Sequence, residues 1–117
     1  MKYILLGIGI FLVVFIFQYL AKGKNMSDKS TVKSKIDSGA LVVDVRTPSE
    51  YAGGHYPKAI NIPLDSLRSR LHELGDKNRE IVVYCLSGGR SATAKQILES
   101  AGFSKVTNGG GIADMPR

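Results

Sequence analysis

The 117-residue chain has no tryptophan, two histidines and a single cysteine, Cys85. One thiol closes no intramolecular disulfide, so a disulfide-stapled fold is excluded, and such a thiol is safest in a reducing compartment. Cys85, His55 and His72 lie far apart, with no Cys-x-x-Cys and no histidine pair at ligand spacing. They make a poor metal site. A lipoprotein signal is ruled out by the position of the one cysteine, and there is no internal repeat or low-complexity tract. Acidic residues are scarce, ten against sixteen basic, for a formal charge of +6. Residues 1–38 hold six lysines (2, 22, 24, 29, 33 and 35) against Asp28 and Asp37, which gives +4. Residues 39–117 hold ten basic against eight acidic side chains, which gives +2. The excess therefore sits beside the N-terminus and does not form a basic face on the rest of the chain, which argues against nucleic acid as a partner.

The chain has one long apolar run. Tyr3 to Ala21 is nineteen residues without a formal charge. A helix of that length spans about 28 Å, against a hydrocarbon core of roughly 30 Å. The run is read as a transmembrane helix over 3–21, followed by a polar linker over 22–29. A cleaved signal peptide is the alternative, although its apolar region is usually roughly 7–15 residues and only the weak Ala21-Lys22-Gly23 offers a cleavage site. Lys22, Lys24, Lys29, Lys33 and Lys35 follow the run and Lys2 precedes it, which places the C-terminal domain in the cytoplasm by the positive-inside tendency. A periplasmic domain is the other possibility.

Beyond the linker, apolar segments alternate between strand and helix periods. Val32 and Ile36 suit a short helix ended by Gly39. Leu41–Val45, Ala59–Ile62, Ile81–Tyr84 and Lys105–Thr107 read as strands, and Pro48–Gly53 as a short helix. Leu64, Leu67, Leu71 and Leu74 form one helical stripe, with Arg68, Arg70 and Glu73 facing water. Ala94, Ile97, Leu98 and Ala101 mark a helix over 92–101. Alternating strands and helices predict an α/β sandwich about a mostly parallel sheet with right-handed crossovers. Ligands bind such sheets beyond the carboxyl ends of the strands.

The run Cys85-Leu86-Ser87-Gly88-Gly89-Arg90-Ser91 falls at such an end. Gly88 and Gly89 let successive N–H groups curl inward as an anion-binding nest. The following helix adds unpaired donors and the positive end of its dipole. These surroundings favour thiolate over thiol, and Arg90 adds a cation. An arbitrary lone cysteine is more often a small buried hydrophobe, and paired glycines are more often a plain turn. The conjunction of strand end, glycines, arginine and helix start points instead to a cradle for an anionic substrate with a nucleophile at its base. Asn108 to Gly111 is read as a plain turn, and His72 as a solvated surface residue.

Cys-x4-Arg after a strand resembles the active-site loop of the rhodanese family of sulfurtransferases. Val42-Val43-Asp44-Val45-Arg46-Thr47-Pro48-Ser49-Glu50-Tyr51 and Gly54-His55-Tyr56-Pro57-Lys58-Ala59-Ile60-Asn61-Ile62-Pro63 are similar to a second family signature, and the glycines at 109–111 to a third. The resemblance covers residues 30–117. It departs at Tyr56, usually Ile or Val, at Lys58, usually Gly, and at Met115, near a position often held by Trp. It implies a three-layer rhodanese-like sandwich without a cofactor, in which Cys85 attacks the outer sulfur of thiosulfate or a related donor and becomes a persulfide. A thiol or cyanide then accepts the sulfur. Leu86, Ser87, Gly88, Gly89 and Arg90 are the implied substrate-binding residues. Asp44 and Arg46 belong to a supporting cluster, where Arg46 is expected to pair with Glu50 while Asp44 holds neighbouring loops, and His55 is expected to orient a loop. Two alternatives stand beside this: an inactive rhodanese-like binding module at the membrane, and a cysteine phosphatase or arsenate reductase, which carry Cys-x5-Arg where this chain has four intervening residues.

Overall fold

The computed structural model describes residues 26–117, so the expected transmembrane segment over 3–21 and residues 22–25 of the linker lie outside the described residues. Among the described residues no helix is long and apolar enough to cross a membrane.

Four short strands, β1 (Leu41–Asp44), β2 (Ile60–Asn61), β3 (Ile81–Cys85) and β4 (Val106–Gly111), form one sheet in the order β2-β1-β3-β4. Every neighbouring pair is parallel. The two inner strands are apolar on both faces, as sandwiched parallel strands must be. Ile81, Val83 and Cys85 point to one face and Val82 and Tyr84 to the other, so the strand period of two divides the core in half. On the first face lie α3 (Gly89–Ser100) and two 3-10 turns, Leu64–Ser69 and Leu71–Leu74. On the second lie α1 (Lys29–Asp37), through Val32, and the C-terminal segment, through Met115. Each fully buried Val, Ile or Leu contributes about 1.5–3 kcal/mol, and such residues on both faces fix the position of β3. Its C-terminal residue, Cys85, inherits that rigidity.

The elements differ from expectation in three places. The leucine stripe is two 3-10 turns broken at Arg70, not one helix. Leu64 with Leu67, and Leu71 with Leu74, are spaced by three, which matches the 3.0-residue turn, while the step of four between the pairs falls on the break. The Leu64 amide also donates to the Val45 carbonyl at 3.1 Å, fastening the first turn to the end of β1. Second, α3 starts at Gly89, so Gly89 and Arg90 belong to its first turn. Third, Asn108–Gly111 is no free turn but the second half of β4. Val83 pairs with Asn108 and Cys85 with Gly111, so three residues of β4 cover the step that two cover on β3. A side chain at 111 would collide with the Leu86 carbonyl, and this close approach explains a glycine in a strand. The family departure at 58 also has a local sequel: Lys58 takes φ +65°, a left-handed conformation that costs a non-glycine residue roughly 1–2 kcal/mol.

Candidate active site

Cys85 ends β3 with its side chain on the α3 face, 1% exposed. The backbone then reverses through Leu86 and Ser87 to Gly88, whose φ of +104° is the left-handed conformation that favours glycine and whose position caps α3. This turn carries the Gly88 amide back to Cys85 Sγ, to which it donates at 2.9 Å. The first turn of α3 brings Ser91 Oγ to 3.3 Å from the same sulfur, and that hydroxyl also lies 3.0 Å from the Gly88 carbonyl. Burial pushes the Cys85 thiol up, but the Ser91 hydroxyl and the amides of Ser91, Gly88 and Ser87 outweigh it, and the thiol sits below its ordinary value. These donors stand at the N-terminus of a twelve-residue helix, so its dipole acts in the same direction. Asn108, itself buried, braces the loop from β4: its Nδ2 is 3.4 Å from the Gly88 carbonyl and its Oδ1 accepts the Gly110 amide at 2.9 Å.

Two arginine–carboxylate pairs flank this cradle. Arg46 bonds Asp44, with Nη2 at 2.6 Å from Oδ2 and Nε at 3.0 Å from both oxygens. The Arg46 amide and the Tyr84 hydroxyl donate to the same carboxylate, at 2.9 and 2.7 Å. Arg46 Nη2 further reaches the Gly54 carbonyl at 2.8 Å, and its guanidinium lies 5.6 Å from the Tyr84 ring centroid. Burial pushes the Tyr84 phenol up to about 12, which keeps it a donor. Arg90 bonds Glu50 bidentately, at 2.7 and 3.0 Å. The expected Arg46–Glu50 pair is therefore not formed. Asp44 is wholly buried and takes the guanidinium two residues along, while Glu50 sits in the first turn of α2 (Pro48–Ala52). There it shares a capping box with Thr47 and faces the first turn of α3. Arg90 holds the Glu50 carboxyl down at about 2. Among the described residues no group of His, Cys, Asp or Glu could hold a metal ion.

Residues 28–113 match the model of the rhodanese-like domain. The chain belongs to that family. It is similar to the thiosulfate sulfurtransferase PspE of Escherichia coli K12, 42% identical over 74 residues that cover 62% of this chain and 71% of that protein. Thiosulfate:glutathione sulfurtransferase of Saccharomyces cerevisiae is 32% identical over 96 residues, covering 71% of this chain and 68% of that one. Among solved structures, an Escherichia coli rhodanese with anions superposes at a TM-score of 0.63 with 41% identity, covering 67% of this chain and 95% of that one. A human single-domain sulfurtransferase gives 0.64 with 29% identity, covering 71% and 86%. Sulfurtransferase relatives accord with sulfur transfer as the chemistry of this rhodanese-like domain.

Within that domain, Cys85, Ser87 and Gly88 converge on one sulfur, and Leu86 is exposed. Arg90 stands at the mouth, tied to Glu50. His55 stacks on Tyr51, with ring centroids 3.8 Å apart and Nδ1 3.0 Å from the Tyr51 carbonyl, and His72 is exposed. Tyr56 fills its departure from the family pattern by donating its hydroxyl to the Pro116 carbonyl at 2.7 Å. Ser91 and Asn108 are the site residues that the sequence reading missed, while Glu50 was expected in the cluster but with Arg46 as its partner in place of Arg90. Ser91 carried a signal: a serine one residue past the loop arginine falls in the first turn of the helix, the turn that must face the strand end.

Proposed function

We propose that this rhodanese-like domain moves a sulfane sulfur from thiosulfate, or a related anionic donor, to cyanide or a thiol through a persulfide on Cys85. The observation that carries the reading is a buried thiol whose sulfur receives the Gly88 amide and faces Ser91 Oγ at the N-terminus of α3. The Cys85 thiolate attacks the outer sulfur of thiosulfate. The S–S bond of the donor breaks with its electron pair leaving on sulfite, and a Cys85 persulfide anion remains. Preorganised donors suit both anions, the thiolate before and the persulfide after. Arg90 attracts the donor, but Glu50 offsets its charge, so the amides and the helix end do most of the anion stabilisation. An acceptor then removes the outer sulfur and returns the thiolate, in two half-reactions with ping-pong kinetics. With four residues between Cys85 and Arg90, the ring suits one sulfur atom better than a tetrahedral phosphate. Residues 3–21 anchor the domain in a membrane, with Cys85 on the cytoplasmic side.

Intact-mass measurement of protein from native membranes tests both parts of the proposal. Thiosulfate is expected to add one sulfur to the purified chain, cyanide to remove it as thiocyanate, and Cys85→Ser to abolish the exchange while keeping the fold. Rapid hydrolysis of aryl phosphates without persulfide formation overturns the reaction. A mature mass starting near Lys24 overturns the anchor.

A further inference from the structure

A hollow of about 400 Å³ shares Arg90 with the thiol site. Its apolar walls are Val45, just past β1, Leu64 from the first 3-10 turn, and Ile97 from α3. Arg90, Thr93 and Ile97 fall at steps of three and four, so they share one face of α3. The bond from the Leu64 amide to the Val45 carbonyl holds the opposite wall against the end of β1. The hollow therefore lies at the same edge of the sheet as Cys85. Arg90 joins the two: it lines the hollow and stands in the first turn of α3, directly after the loop that begins at Cys85. At about 400 Å³ the space fits a small-molecule site, roughly 300–1,000 Å³ by general experience, and far exceeds what cyanide needs.

The charges on the rim select the occupant. Both terminal nitrogens of Arg90 are engaged by Glu50. Arg68 is exposed, lines the hollow and is in none of the five ion pairs among the described residues. Asp65 brings one carboxylate to the same wall. We propose that this hollow is the acceptor subsite, taking a small thiol of the amino-acid or short-peptide type. Arg68 holds its carboxylate, Asp65 faces its ammonium group, and Leu64 and Ile97 pack its chain. The proposal rests on the sulfurtransferase reading and deepens its second half. The seated thiol attacks the outer sulfur of the Cys85 persulfide. A new S–S bond forms on the acceptor, the old one breaks with its electron pair on Cys85, and the acceptor's proton passes to its new persulfide, so no outside oxidant or reductant is needed.

The test compares acceptors on the full chain with thiosulfate as donor: glutathione, with two carboxylates, against uncharged 2-mercaptoethanol. In Arg68→Ala the ratio of kcat/KM for glutathione over mercaptoethanol is expected to fall about tenfold, the scale of one hydrogen bond to a charged group. The fall should appear in KM, deepen in Arg68→Glu and be partly recovered in Arg68→Lys. An unchanged ratio in Arg68→Glu, with the Cys85 persulfide still forming, overturns the subsite alone. Failure of thiosulfate to form the persulfide in the unmodified chain overturns the sulfurtransferase reading itself.

Discussion

Arg46 bonds Asp44 with their side chains 5% and 0% exposed, whereas Arg90 bonds Glu50 with theirs at 35% and 28%. The two pairs use the same chemistry at the same edge of the sheet, the inner one between residues two apart and the outer one between residues 40 apart in sequence. The buried pair is also saturated: Asp44 accepts from Arg46, from the Arg46 amide and from Tyr84, and Arg46 reaches on to the Gly54 carbonyl. It locks strand ends and a loop together and has no freedom to meet a ligand. The outer pair has solvent on one side, so Glu50 presets the Arg90 fork without removing it from reach of an anion. Burial, more than residue type, separates the brace from the group that faces substrate.

The largest expected effect comes from breaking the brace. Asp44→Ala leaves the Arg46 guanidinium buried without its counter-charge, and unfolding in urea should show a loss of about 3–5 kcal/mol. A loss below about 1 kcal/mol would mean that the two pairs are equivalent after all. Arg90→Ala should do the converse. Stability should change by no more than about 1 kcal/mol, the scale of an exposed pair, while the rate of persulfide formation from thiosulfate falls about tenfold or more and alkylation by a neutral reagent persists. Arg90→Lys should recover part of the loss, because a point charge replaces a planar fork. The smallest effect is in acid. The Glu50 carboxyl sits at about 2 in the folded chain against an ordinary 4.5. Its pair with Arg90 is thus fully present above pH 4.5, and its contribution is lost as the pH falls from there through 2. Carbon-detected NMR of the Glu50 carboxyl should titrate near 2 and move back towards 4.5 in Arg90→Ala; a midpoint that does not move would separate the two residues.

What could be read from the sequence was local. Leu41–Asp44 and Ile81–Cys85 are strands because short apolar runs allow little else, and the turn signal of Gly88 and Gly89 located the start of α3 to within three residues. The position of Cys85 at a strand end followed from that pattern alone. Partner choice was not legible. Arg46 had Asp44 and Glu50 within four residues, and which one it takes depends on the Thr47 capping box turning Glu50 towards α3. Ser91 and Asn108 reach the loop only through the packing of α3 and β4 on β3. The second half of β4 was hidden for a different reason: glycine carries a low strand propensity, and here the need for close backbone approach to Leu86 overrides it.

The unequal count of residues between Val83–Cys85 and Asn108–Gly111 makes β4 a shim. Its length, more than any side chain in it, sets where the chain stands when it passes Leu86. A strand repeats every two residues, so removing one of the three glycines would slip all that follows by half a repeat. Gly111 would no longer face the Leu86 carbonyl, and Met115 would be drawn off the core it shares with Val32 and Tyr84. This edge of the fold therefore tolerates neither a side chain at 109, 110 or 111 nor an altered residue count. A deletion tens of residues from Cys85 in sequence would be felt at its sulfur as a change of spacing.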